Sequence, residues 1–334
     1  MEWKACYDLA VKHGVMAIAF DGLMMLAPAH QPSRPLKLSW ALAVRKYEER
    51  YERYCQTASE LSSYYSDNGI SMVQMKGVGL SSYYPVPAHR EGGDIDIYTY
   101  SSDRSKLSDS EANQLADKLM EDQGIIVRKE HSKHSNFFYR NISIENHKTF
   151  INVGDISIAG SMNEVLHELL KPRKISLCDG RYTIAVPSPE FNALFLAFHA
   201  GQHFCSGLRL HHIFDYACML KNYGLPLSDK VTDRKLLRFI YALTSICNEL
   251  LGTDMTVPDN EKMVNHVYQQ IMHPRFSDNA PKNKIGIFIY KTAKLLYIHK
   301  QKSMIFRRSL FREIKHSIIF HIKNPETIFT VVSK

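Results

Sequence analysis

Residues 75–100 read MKGVGLSSYYPVPAHREGGDIDIYTY (Met75–Tyr100). Lys76-Gly77, a short polar stretch and Arg90-Glu91-Gly92-Gly93 stand just ahead of two aspartates spaced i, i+2. Aspartate is depleted in strands, yet DIDIYTY over 94–100 alternates as a strand does. On a strand, residues i and i+2 share a face, so Asp94 and Asp96 project together while Ile95 and Ile97 turn to the core. Two carboxylates about 6–7 Å apart repel by roughly 2–3 kcal/mol at an effective dielectric near 20. Packing does not offset that repulsion. A divalent cation does, and hard oxygen ligands suit Mg²⁺ or Mn²⁺.

A metal held by two carboxylates completes its shell with substrate phosphates, and the residues upstream suit phosphates. Lys76-Gly77 ends a strand and opens a short helix, presenting a cation and backbone N–H groups to an anion. Gly79, Gly92 and Gly93 permit close backbone approach, and Arg90 is a second phosphate clamp. A two-metal site needs a third carboxylate. In ISIENH, Ile142 and Ile144 alternate with Ser143 and Glu145, which puts Glu145 on a polar face as a metal ligand or acceptor-side base. His134 and His147 are placed to assist with phosphate or acceptor.

Around this stretch the first half reads as a mixed α/β unit. An apolar helix over 3–26 and an amphipathic helix over 39–67 precede the strand ISMVQM (70–75). Ser108-x-x-Glu111 is a capping box opening a helix that ends near Gly124. IIVRKEH, SNFFYR and ISIENHKTFINV read as further strands, antiparallel because their connections are short. Beyond a hairpin at KISLCDGRYTIAV with an Asp179-Gly180 turn, the rest is helical. The expected division is a helical segment over 1–68, a core over 69–160 and a mainly helical domain over 161–334.

Composition sets the class. With 334 residues, 45% hydrophobic and 23% charged, the chain is that of a globular protein with room for real cores. Its six cysteines show no CxxC spacing and read as reduced thiols in a cytoplasmic protein. Asp21 breaks the N-terminal apolar run before any signal cleavage site, and no apolar run is long enough to span a bilayer. Between Lys282 and Lys323, eleven Lys/Arg face one acid, Glu313, so that segment holds +10 of a total of +8 and the remainder is about −2. The bulk of the protein is therefore no basic nucleic-acid binder; the basic tail is either a solvated helix face or a contact for an anionic partner.

The order of strand, Lys76-Gly77, short helix ending in Tyr83-Tyr84, Arg90, DIDIY and a later strand bearing Glu145-x-His147 resembles the uncharacterised nucleotidyltransferase family of the DNA polymerase β-like superfold. FLAFHAGQHF (195–204) followed by LRLHHIFDYA (208–217) is similar to that family's helical region, so the likeness runs over roughly residues 40–225. The resemblance implies an α+β fold: a polymerase β-like core of mixed sheet and flanking helices, with N-terminal helices and a helical C-terminal domain walling a cleft. It implies transfer of a nucleoside monophosphate from an NTP to an acceptor hydroxyl by a two-metal mechanism. Asp94, Asp96 and Glu145 would hold Mg²⁺ or Mn²⁺, and Lys76, Gly77 and Arg90 would surround the triphosphate. Val78 stands where many relatives carry serine, which keeps a backbone cradle and removes a hydroxyl contact.

Two other readings fit the same residues. Asp-x-Asp also binds Mn²⁺-UDP-sugar in glycosyltransferases, and a degenerate fold of this type can bind a nucleotide or partner without catalysis. The acceptor is open among a small molecule, a glycan, a protein and an RNA end. His199 and His203 share a helical face and read as core or groove histidines; Arg209 and Asp215 read as helix braces, and YEERYERY (47–54) as an amphipathic face.

Overall fold

The computed structural model describes residues 2–103, 106–129, 133–151, 159–204, 207–225, 231–272, 281 and 283–330. Two helices, α1 (Trp3–Lys12) and α2 (Met16–Met24), stand where one was expected over 3–26, because Gly14 at φ +68° breaks the run. The long helix α3 (Arg34–Asp67) begins earlier than its apolar pattern suggested. Pro35 occupies its first turn, where the missing N–H costs nothing. The buried Trp40 indole ties α3 to α2, donating to the Met16 carbonyl at 3.0 Å.

From Gly69 the chain enters a four-stranded sheet of β1 (Ile70–Gln74), β2 (Ile95–Ser101), β3 (His134–Tyr139) and β4 (Ile142–His147), in the order β1-β2-β4-β3. A turn through Arg140 and Asn141, both at positive φ, makes β3 and β4 antiparallel as expected. β2 and β4, however, run parallel. The long connection a parallel pair needs contains the helix α5 (Asp109–Asp122), which opens with the expected Ser108/Glu111 capping box. The strand expected over IIVRKEH is reduced to one bridge, Arg128 to Asn136, and residues 130–132 lie outside the described residues. Ile125 and Val127 pack inward while Ile126 between them faces solvent, the alternation of a half-buried strand, but among the described residues the backbone pairing of this segment is limited to that bridge.

One face of the sheet is the core. Ile70, Met72, Ile95, Ile97 and Ile144 pack with Ala58, Leu61 and Tyr65 of α3 and Ala116 and Met120 of α5. Within it lies a buried polar network. Asn113 donates to Thr99 Oγ1, Asn146 Oδ1 and the His147 carbonyl at 2.9–3.1 Å, and Asn146 and Ser135 both donate to Asp117 Oδ1. The network ties α5 to β2, β3 and β4, which fixes their register and hence the opposite face.

After β1 comes the short helix α4 (Val78–Ser81), where a short helix was expected. The hairpin β5 (Arg173–Leu177) and β6 (Tyr182–Val186) forms a separate two-stranded sheet, turning through Cys178, Asp179 and Gly180 at positive φ. The remaining elements are α6 (Ala159–Leu169), α7 (Pro189–His203), α8 (Leu210–Tyr223), α9 (Arg234–Leu251), α10 (Glu261–Met272), α11 (Lys284–Lys302) and α12 (Leu310–Lys323). Two compact units result: Met1–Ile151 with Val165–Ala193 and Lys221–Tyr223, holding both sheets, and Asn152–Glu164 with Leu194–Leu220 and Gly224–Lys334, which is helical where described. Among the described residues no helix is long and apolar enough to cross a membrane. Five cysteines are described, all as thiols; Cys205 lies outside the described residues.

Candidate active site

The face of the sheet opposite the core carries the polar residues. Parallel pairing sets Asp96 directly beside Glu145, and antiparallel pairing sets His134 beside His147. Asp94 sits just ahead of β2 rather than within it. Oxygens of Asp94, Asp96 and Glu145 lie within 4.8 Å of one another, so the three carboxylates picked from the sequence converge.

Asp96 is the hub. It is fully buried, with Lys76 Nζ and His147 Nε2 each 2.9 Å from its Oδ1. Burial pushes its carboxyl up, but the Lys76 ammonium and the His147 hydrogen bond outweigh that and hold it well below the usual carboxylate range. Its Oδ2 is buried with no hydrogen-bond partner among the described residues. His147 Nε2 also lies 3.5 Å from Glu145 Oε2, as does His134 Nδ1. Burial opposes the charge of Glu145, and these imidazoles keep its carboxyl below the ordinary value. Asp94 behaves oppositely: the Asp96 charge and burial push it up to about 6. Lys76 is raised, because Asp96 and Asp94 outweigh its desolvation.

The turn between β1 and α4 is built on Gly77, at φ +62° and ψ −136°, a conformation open essentially to glycine alone. A Cβ there would stand 2.7 Å from Gln74 Nε2 and 3.1 Å from the Asp94 carbonyl. Gly77→Ala is therefore expected to cost about 2 kcal/mol, read as a lowered urea midpoint at unchanged m-value. Arg90 borders the same turn but on its α3 side, in a pocket lined also by Tyr47, Arg50, Tyr51, Tyr54 and Gly92.

That pocket makes YEERYERY more than an amphipathic face. Tyr47 donates to Glu91 Oε1 at 3.0 Å and Tyr54 to the Gly93 carbonyl at 3.1 Å, so α3 fixes the loop that delivers Asp94. Burial, then Glu91, raises the Tyr47 hydroxyl to about 12, so it stays a donor at neutral pH. Arg50 stacks over the Tyr47 ring at 4.6 Å and adds a second cation to the pocket. His89, buried between Asp21 of α2 (2.7 Å) and Glu48 of α3 (3.1 Å), anchors the loop from its other end.

Sequence reasoning missed Arg50 and the tyrosine clamps, because nothing in their spacing within α3 points to a loop about forty residues on. It also missed Lys133, whose ammonium is lowered by burial, then by Lys76, while feeling all three carboxylates. Gln74 had a signal, a lone amide ending an apolar strand; it is fully buried beneath Gly77 with neither amide atom partnered among the described residues.

In the helical unit, His199 and His203 of α7 are joined by His212 of α8, with nitrogens within 4.8 Å of one another. His212 Nδ1 faces both the Arg209 N–H, at 3.1 Å, and the Arg209 carbonyl, at 3.3 Å, so the backbone serves either tautomer of the ring. The His203 and His212 rings pack tilted against each other between α7 and α8, with centroids 4.6 Å apart.

No curated protein matches this chain. Among solved structures, an antigenic nucleotidyltransferase-like protein from Paracoccidioides brasiliensis is similar with a TM-score of 0.40 at 12% identity, covering 65% of this chain and 93% of that one. A protein-family model, that of the uncharacterised nucleotidyltransferases, matches residues 1–252. The match extends beyond the 40–225 on which the sequence resemblance rests, taking in all of α3 with its tyrosines and helices through α9. It includes every residue of the carboxylate face and three quarters of the chain, and by it the chain belongs to the uncharacterised nucleotidyltransferase family.

Proposed function

We propose that the protein transfers a nucleoside monophosphate from an NTP to an acceptor hydroxyl. The observation that carries this reading is the convergence of Asp94, Asp96 and Glu145 within 4.8 Å, with one Asp96 oxygen buried and unpartnered. An all-oxygen donor set fits Mg²⁺ or Mn²⁺. Such ions, held by Asp94, Asp96 and Glu145, would neutralise the triphosphate and lower the pKa of the acceptor hydroxyl.

The chain's own groups have distinct work. Gly77 lets the triphosphate approach the backbone; Lys76 and Arg90 supply charge for the phosphates, joined by Arg50 from α3. Glu145, held below the ordinary carboxylate range, suits ligation better than proton abstraction. The acceptor oxygen bonds to the α-phosphorus as the α,β-bridging bond breaks, pyrophosphate leaves, and the hydroxyl proton passes to His134. The glycosyltransferase reading needs an α/β unit ahead of Asp-x-Asp, and here β1 is the one strand described before it.

The test is a thermal-shift titration with each NTP, with Mg²⁺ and with Mn²⁺, on the unmodified chain and Asp94→Asn. Metal-dependent stabilisation by at least one NTP, lost in the variant, is expected, and pyrophosphate release follows once the acceptor is supplied. Stabilisation that survives in Asp94→Asn puts the nucleotide elsewhere. Binding without pyrophosphate release across sugar, glycan, protein and RNA acceptors turns the reading toward a nucleotide-binding module.

A further inference from the structure

We propose that α11 and α12 dock on the surface of an anionic lipid bilayer, lying in its plane. The inference is independent of the reading above, for both helices lie beyond residue 252, where the family match ends. In α12, Phe311, Ile314, Ile318 and Ile322 recur at helical spacing on one face, and that face is turned to solvent: Phe311 is 77%, Ile318 54% and Ile322 74% exposed. α11 repeats the device, with Ile285 at 74% and Ile289 at 61% exposure on one stripe. Single exposed apolar residues need no explanation, but two such stripes do.

Charge selects the occupant. Exposed Arg312, Lys315 and Lys323 flank the α12 stripe, and Lys284 and Lys300 belong to α11. The only acid between Lys282 and Lys323, Glu313, is turned inward at 7% exposure, where Arg308 donates to it at 2.6 Å and His299 lies at 3.0 Å. Among the described residues from 283 to 323 the outer surface is therefore apolar and cationic with no opposing charge; the next acid is the exposed Glu326, in the turn after α12. A second copy would bring one +10 segment against another. A nucleic acid would meet aliphatic side chains where it offers only polar edges and charge. An anionic leaflet meets both demands: apolar side chains enter the headgroup–acyl boundary, and Lys and Arg stay among the phosphates. At 14 residues, α12 is about 21 Å long, suited to lying in an interface rather than crossing a bilayer.

The test is flotation of the full chain with vesicles of phosphatidylcholine alone and with about a third phosphatidylglycerol. Anionic vesicles are expected to bind at least about tenfold more tightly, weakening between about 0.1 and 0.5 M salt as the charges are screened. This needs no variant. Ile318→Asp with Ile322→Asp, and separately Arg312→Glu with Lys315→Glu, should each weaken binding at least about tenfold while leaving the melting temperature unchanged, since all four side chains are exposed. Equal binding to both vesicles, no binding to either, or full retention by the isoleucine pair overturns the proposal. A dimer that the isoleucine pair dissociates, or RNA binding in place of vesicle binding, overturns it in favour of that partner.

Discussion

Asp96→Asn is expected to destabilise the fold by about 3 kcal/mol, besides abolishing metal-dependent nucleotide binding. The reason is the company Asp96 keeps. It is fully buried, and its charge is the nearest counter-charge of Lys76, itself desolvated and 2.9 Å away. Taking one charge from a buried pair leaves the other unsolvated and uncompensated, which costs more than the pair's net worth. The neutral amide still accepts from His147, and Asp94 still opposes the ammonium, so the loss sits at the lower end of such cases. The carboxyl's depressed value gives the sign in pH: its stabilisation is present above the unfolded carboxylate range and lost only in strong acid. Urea unfolding at neutral pH measures the cost. Pairing Asp96→Asn with Lys76→Met should recover much of it, because the orphaned cation goes too. A single variant within about 0.5 kcal/mol of the parent would mean that Lys76 does not depend on Asp96.

The sequence made Asp94, Asp96 and Glu145 legible because each rests on local alternation, a period of two read over a few residues. Gly77 was legible for a similar reason, a glycine at the seam of strand and helix. What brings Glu145 to Asp96 is not local. It depends on β2 and β4 pairing in parallel across the long connection that holds α5, which no local pattern in either strand announces. The network of Asn113, Asn146, Asp117, Ser135 and Thr99 that holds this register is spread over α5 and three strands, and scattered polar residues leave no periodic mark. Arg50 and the tyrosine clamps belong to the same class: a helix face reads as amphipathic whatever it covers. Lys76 was legible as a cation at the site; that it also pairs with Asp96 Oδ1 at 2.9 Å is a contact that its place in the sequence does not announce.

Asp94→Asn should do the reverse of Asp96→Asn, raising the stability of the metal-free protein at neutral pH by up to about 3 kcal/mol. Asp94 is pushed from 3.8 to about 6, first by the Asp96 charge and then by burial. A shift of roughly two units is worth about 3 kcal/mol between protonation states, an upper figure since Asp94 keeps some contact with water. Because the folded value is raised, the proton's contribution to stability is full below about pH 4 and disappears as pH rises through about 6. The asparagine variant carries no such slope, so its advantage should be absent near pH 4 and complete by about pH 7. Metal reverses the comparison. A cation needs the carboxylate and competes with the proton, so the affinity of the parent for Mg²⁺-NTP should weaken about tenfold per pH unit below about 6, and its stabilisation by the ligand should fall by up to about 1.4 kcal/mol per unit. The variant should gain nothing from Mg²⁺-NTP at any pH. Melting curves from pH 4 to 8, with and without Mg²⁺-NTP, measure both effects in one series. A variant no more stable than its parent at neutral pH would show that the two aspartates do not repel. A repulsion retained without metal and relieved by it is what a binding site shows, whereas a surface strand has no reason to keep one.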